Sequence, residues 1–319
     1  MLSAIPFHRR RDLGDVLNVT FLFLRQNLKP LGKSLLFIVA PVWVLLSVPN
    51  ALLQVSLLEF DPEAPGTFEL GRLGGQYVIV ALLAVLASVL QVCVVYGFMR
   101  HYQQHGGPGS VGVDDVWRFA QANIWRVLGA GLLAAAIAMI GMVVALVPCL
   151  GFLAFLAGVV YLAVVATVAV PALLWEGSGI AEAFVRARAL VRGAFWQTLG
   201  VLFVSWLLVT ILGFLFSLPM VILSFTAGLH GAEAGAGAVG RPVLVAAGML
   251  ASLGSMLLYP IPLVAMAFQY FSLVEGKDRT GLMERIEAME DPRGGAGGGD
   301  DGGREAADDD FWRRPGQPQ

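Results

Sequence analysis

The sequence predicts an all-α, polytopic membrane protein with six transmembrane helices and three amphipathic helices at the cytoplasmic interface. Three observations predict it. Six stretches reach the roughly 20 apolar residues that a helix needs to cross the hydrocarbon core, and none holds Asp, Glu, Lys, Arg or His in its interior. Basic residues gather on alternate sides of those stretches, as the positive-inside rule requires of cytoplasmic loops. Amphipathic segments precede the first, third and fifth of them. Composition agrees: 57% hydrophobic and 14% charged residues, with mean hydropathy +0.74, where a soluble chain carries about 25% charged residues.

Residues 1–34 form a basic amino-terminal segment and the first interfacial helix. After Arg9, Arg10 and Arg11, the polar residues Asp15, Asn18, Arg25, Gln26 and Lys29 recur at helical steps. Between them sit Val16, Leu17, Val19, Phe21, Phe23, Leu24 and Leu28. That pattern predicts a helix in the headgroup plane, apolar side down.

Residues 35–274 form the membrane domain. Its predicted spans are 35–58, 77–98, 127–147, 150–175, 198–223 and 243–273. The first run, from Leu35, is long enough to span, so it reads as a retained helix and not as a cleavable leader. Arg9, Arg10, Arg11, Arg25, Lys29, Lys33, Arg100, Arg118, Arg126, Arg186, Arg188 and Arg192 flank the spans on one side, against Arg72 and Arg241 on the other. The asymmetry predicts a multi-pass protein with both termini in the cytoplasm. The acidic loop Glu59–Gln76, a tight hairpin at Pro148-Cys149 and the glycine-rich loop Thr226–Pro242 then face outward.

Two inner segments repeat the opening device. Val113–Trp125 places Val116, Phe119, Ala120 and Ile124 on one face; Gly179–Trp196 does the same with Ile180, Phe184, Ala187, Leu190 and Val191. All three run into a span through Leu-Gly, at Leu31-Gly32, Leu128-Gly129 and Leu199-Gly200. Laying the first on the third puts Val16 on Phe184 and Leu22 on Leu190, which predicts a threefold internal repeat. Small residues four apart, as at Gly131/Ala135, Ala154/Gly158 and Ala247/Ala251/Ser255, predict close helix contacts. Pro41, Pro49, Pro171, Pro219, Pro260 and Pro262 predict breaks or kinks. Trp43, Tyr77, Tyr96, Trp175 and Trp196 are expected near the interfaces. Residues 275–290 read as a short amphipathic segment, and 291–319, including Phe311-Trp312-Arg313-Arg314, as a disordered Gly/Asp-rich tail.

Sites of chemistry are sparse. His101-x-x-x-His105 has the spacing of a two-ligand metal face, but Gly106-Gly107-Pro108-Gly109 ends the helix there and only His8 and His230 remain. Two solvated histidines in an interfacial loop are expected, with no metal and no cofactor. Cys93 and Cys149 lie towards opposite membrane faces and read as packing residues. No phosphate loop or nucleophile elbow occurs. The basic residues Arg9, Arg10, Arg11, Arg25, Lys29, Lys33, Arg186, Arg188 and Arg192 are expected to contact lipid headgroups, not nucleic acid. Ser47, Asn50 and Ser88 form the one candidate intramembrane polar site. Asn50 beside Pro49 is the pattern of some broken transporter helices and, more often, of a lone interhelical hydrogen bond.

The opening block, with Arg11-Asp12-Leu13-Gly14, Asn18-Val19-Thr20-Phe21, Arg25-Gln26-Asn27 and Pro30-Leu31, resembles a group of uncharacterised bacterial six-span membrane proteins. The closing Phe268-Gln269-Tyr270-Phe271-Ser272-Leu273-Val274-Glu275 fits the same group. More loosely the chain is similar to the membrane domain of some glycerophosphodiester phosphodiesterases, whose catalytic barrel has no counterpart here. The resemblance implies the six-span topology and no substrate. The expectation is a non-catalytic scaffold or a module that binds anionic lipid or a membrane-protein partner. The alternatives are a permease for a neutral or lipid-like solute, then a lipid-modifying enzyme using His101, His105, Asp114 and Asp115.

Overall fold

The apolar runs fold as helices that mostly extend past their predicted ends. The computed structural model describes residues 6–7, 9–58, 67–105, 111–145, 150–229 and 240–278. Its helices are α1 (Leu13–Ser34), α2 (Ala40–Leu58), α3 (Thr67–His105), α4 (Val113–Val144), α5 (Leu150–Glu176), α6 (Ile180–Val191), α7 (Phe195–Leu229), α8 (Arg241–Leu258) and α9 (Pro260–Asp278). No strand occurs among the described residues. Six helical segments are long and apolar enough to cross a membrane, so the chain is an all-α polytopic protein. The predicted tail 291–319, the Pro148-Cys149 turn and most of the amphipathic segment 275–290 lie outside the described residues.

Two of the three amphipathic segments continue into their spans as helix. α1 continues into α2 through one π-helical turn, Leu35–Val39, in which the Ala40 N–H reaches the Leu35 carbonyl. Pro41 accounts for its position. Its missing N–H cannot serve the carbonyl four residues back, and widening the helix by one residue moves the mismatch. α4 likewise runs from Val113 into the third span without a break. Only α6 is separate: Arg192 is extended and Gly193 adopts φ +93°, a left-handed conformation that favours glycine. On the opposite side, residues 67–76 of the predicted acidic loop are helical, so α3 is about 58 Å long at about 1.5 Å per residue. Pro260 coincides with an interruption and Pro41 follows the π-helical turn, whereas Pro30, Pro49, Pro171 and Pro219 lie inside assigned helices.

The apolar stripes of the three amphipathic segments face protein. Buried positions are Val16, Thr20 and Phe23 in α1, Val116, Ala120 and Asn123 in α4, and Ala183, Ala187 and Leu190 in α6. This register sets Val16 against Ala183, one residue from the sequence alignment. Phe21, Leu22 and Leu28 of α1 remain exposed. Two Leu-Gly junctions serve as sockets. A Cβ at Gly200 would lie 2.7 Å from Leu13 Cδ1, and one at Gly129 would lie 2.7 Å from Ile180 Cδ1. In both cases the first residue of one amphipathic helix fits where another segment enters its span. Gly32 has open space instead.

The centre of the fold is α9. Its residues Val264–Ser272 are buried on every side, with α1, α3, α5, α6 and α7 in contact around it. A helix apolar all round belongs in the middle of a bundle. α8, the other half of the last span, packs on α2 and α7. α4 packs on α3 and α5 and exposes Leu132, Met139, Ile140 and Val143.

Candidate functional site: the basic end and the interrupted last span

Arg11 organises the basic end. Its side chain donates from Nη1 to the Phe7 carbonyl at 2.9 Å and from Nη2 to the Pro6 carbonyl. It also lies over the Phe268 ring, 5.3 Å from the centroid. Ser272 Oγ accepts the Arg11 N–H at 2.9 Å and donates to the Arg11 carbonyl at 3.1 Å, and Gln197 Nε2 donates to that carbonyl at 2.9 Å. The residue is 4% exposed, so it is not a headgroup contact; this corrects the expectation. Burial pulls its pKa below the ordinary arginine value, the positive charge of Arg9 adds to that, and Asp15 opposes it. Phe7 fills the neighbouring space, with ring centroids 6.4 Å from Phe23, 6.0 Å from Tyr102 and 5.3 Å from both Phe268 and Phe271. The opening and closing blocks that carry the sequence resemblance thus meet each other.

Two further arginines secure the carbonyl end of α5. Arg100 donates to the Leu174 carbonyl and Arg126 to that of Ser178 at 2.6 Å, partners that helix C-termini lack within their own ladder. Trp175 Nε1 donates to Gln103 Oε1 at 2.9 Å, while Glu176 accepts from Tyr270 at 2.9 Å and Arg186 at 3.2 Å. Arg186 is therefore held by Glu176. Arg9, Arg10, Arg25, Lys29, Lys33, Arg188 and Arg192 are exposed, beside exposed Trp117, Trp125 and Trp196.

A second feature lies where the last span is interrupted, between Tyr259 and Pro260. Pro260 cannot donate to Met256, the carbonyl four residues back. Gln91 Nε2 donates to that carbonyl instead, at 2.8 Å. Beside it is a cavity of about 450 Å³ bordered by α2, α3, α5, α7, α9 and the Tyr259 junction, with Trp43, Tyr96, Trp206 and Tyr259 in its wall. Trp43 and Tyr96 therefore line an internal space and do not mark an interface. The Trp43 N–H is buried without an acceptor.

The predicted polar site does not assemble. Asn50 Nδ2 donates to Ser252 Oγ at 2.9 Å, the lone interhelical bond of the two readings weighed. Ser47 bonds the Val44 carbonyl and exposed Ser88 bonds the Ala84 carbonyl, each within its own helix. His101 and His105 occupy the last turn of α3 and not a loop; His101 lies edge-on to Phe119. Asp115 pairs with Arg118 at 2.8 Å. No group of three or more His, Cys, Asp or Glu residues comes together among the described residues.

No family model, curated protein or solved structure matches the chain. The functional reading accordingly stands on its own side chains. Sequence reasoning missed Arg11 as a buried anchor, because three consecutive arginines carry no mark of which one turns inward. It missed Gln91 as the partner of a proline-freed carbonyl, although Pro260 announced that some donor was needed.

Proposed function

We propose that this chain is a non-catalytic integral membrane protein of a bacterial cytoplasmic membrane, with both termini inside, that acts as a scaffold or lipid-binding module. It takes anionic headgroups on its basic end and presents that end to a membrane-protein partner. The observation that carries the reading is the set of exposed cations on α1, α6 and the Arg192 turn, together with exposed Trp117 and Trp125 of α4 and Trp196 of α7. Such residues suit the headgroup layer, where each Lys or Arg contributes about 1 kcal/mol with anionic lipid. An apolar groove of about 450 Å³ between α4 and α5 supports it. The groove runs from Ile137 and Phe155 to Phe184 and Arg188, so an acyl chain lying in it places its headgroup at Arg188. The test is the thermal stability of purified protein in nanodiscs with and without phosphatidylglycerol. Stabilisation is expected, and it is halved or worse in the combined variant Arg25→Gln, Lys29→Gln, Lys33→Gln, Arg188→Gln. Indifference of the wild-type chain to anionic lipid overturns the reading.

A second reading, a permease for a neutral or lipid-like solute, is favoured by the cavity at the interrupted span, since transporters bind solutes where helices are discontinuous. Flux of a neutral solute in proteoliposomes is its test, and absence of flux across a broad panel retires it.

A further inference from the structure

The cavity beside the Tyr259–Pro260 interruption has a polar character that packing alone does not require. Gln91 is 2% exposed and lines it. The Met256 carbonyl can only accept, so the Gln91 amide must turn its nitrogen towards Met256 and leave its oxygen free. That oxygen accepts no hydrogen bond from any described residue. Tyr259 lines the same cavity, and its hydroxyl likewise has no hydrogen-bond partner among the described residues. The remaining wall is aromatic and aliphatic apart from the Trp43 N–H, a buried donor with no acceptor among the described residues, and Ser88 and Thr167, which already donate to their own helices. No charged side chain lines it.

Depth says where an occupant comes from. Exposed Ser88 and Trp206 border the cavity. Counting about 1.5 Å per residue from the basic ends of their spans puts both about 12–15 Å into the hydrocarbon layer. The opening therefore faces lipid tails, not water.

We propose that this cavity is a lateral binding site for an uncharged lipid bearing a free hydroxyl group, such as a diacylglycerol. The hydroxyl donates to Gln91 Oε1 and accepts from the Tyr259 hydroxyl, while the chain lies along Trp43, Leu46 and Trp206. A charged head is excluded, because it would be desolvated with no counter-charge. An esterified head is excluded, because it brings no donor to Gln91. The site rests on neither headgroup binding at the basic end nor solute movement, so it stands or falls apart from both.

The experiment is photolabelling of the full chain in phosphatidylcholine nanodiscs with a diazirine-bearing diacylglycerol, followed by mapping of labelled peptides. Label is expected on the peptides holding Trp43, Trp206 and Tyr259, and unlabelled diacylglycerol competes for it. The acetylated analogue and phosphatidic acid of the same chains compete at least fivefold less well. Tyr259→Phe and Gln91→Met each weaken labelling roughly fivefold, the value of one hydrogen bond of about 1 kcal/mol. Tyr259→Phe breaks no bond within the protein and keeps the test valid if Gln91→Met misfolds. Equal competition by the acetylated analogue, or undiminished labelling of Tyr259→Phe, overturns the proposal. So does label spread over the bilayer-facing helices.

Discussion

The third and sixth spans are nearly equal in mean hydropathy, 2.0 and 1.8 over their most apolar 18 residues, yet 11% of the third is buried against 44% of the sixth. Hydropathy reports that a helix tolerates lipid; it does not say whether lipid or protein surrounds it. In a bilayer the tails are as apolar as leucine, so packing and hydrogen bonds decide association. The sixth span carries those devices. Ser252 receives Asn50, Gln269 donates to Thr198 at 3.2 Å, Ser272 holds Arg11, and Gly254 lies against the Phe216 ring. In the third span Gly131 has no atom within 4 Å of where a Cβ would stand. Its small-residue pattern marks no contact there.

Five substitutions sharpen that contrast, from the largest effect down. Arg11→Leu removes the charged donor from the Pro6 and Phe7 carbonyls and should lower unfolding free energy by about 2–3 kcal/mol, read as a fall in the thermal midpoint in detergent. A midpoint equal to wild type would mean that the first and last segments are not joined through this residue. Gly254→Leu overpacks against Phe216 and should cost about 1–3 kcal/mol, whereas Gly131→Leu should stay within about 0.5 kcal/mol. Equal effects at the two glycines would erase the difference between the spans. Asn50→Leu loses one interhelical bond, at about 1 kcal/mol; a loss several times larger would point to a role beyond packing. Ile140→Ala, on the exposed face of α4, should leave stability within about 0.5 kcal/mol of wild type.

The sequence made the spans legible because charge is so costly in hydrocarbon that its absence from six runs is unambiguous. Helix ends were less legible. Thr67–Gln76 has the glycines of a loop, yet it continues α3 past the predicted span, where length carries little penalty. The periodic segments before the first, third and fifth spans are helical, but their apolar stripes were assigned to lipid. Periodicity identifies a face and not its neighbour, and Val16 and Phe23 meet protein where Leu28 does not. Ser47, Asn50 and Ser88 were grouped by depth alone. Depth fixes height along the bilayer but not the direction around a helix: Asn50 reaches Ser252 of α8, whereas Ser88 is exposed and bonds within α3. Gln91 stood in plain view; its partner became evident only once the Met256 carbonyl was placed beside it.

The most direct test of this packing account is carbene footprinting of the full chain in nanodiscs with a reagent that partitions into the hydrocarbon layer. Leu132, Met139, Ile140 and Val143 of α4 should be labelled, and Val264–Phe271 of α9 should stay protected. Labelling of α9 equal to that of α4 would contradict the placement of the last span at the centre of the fold.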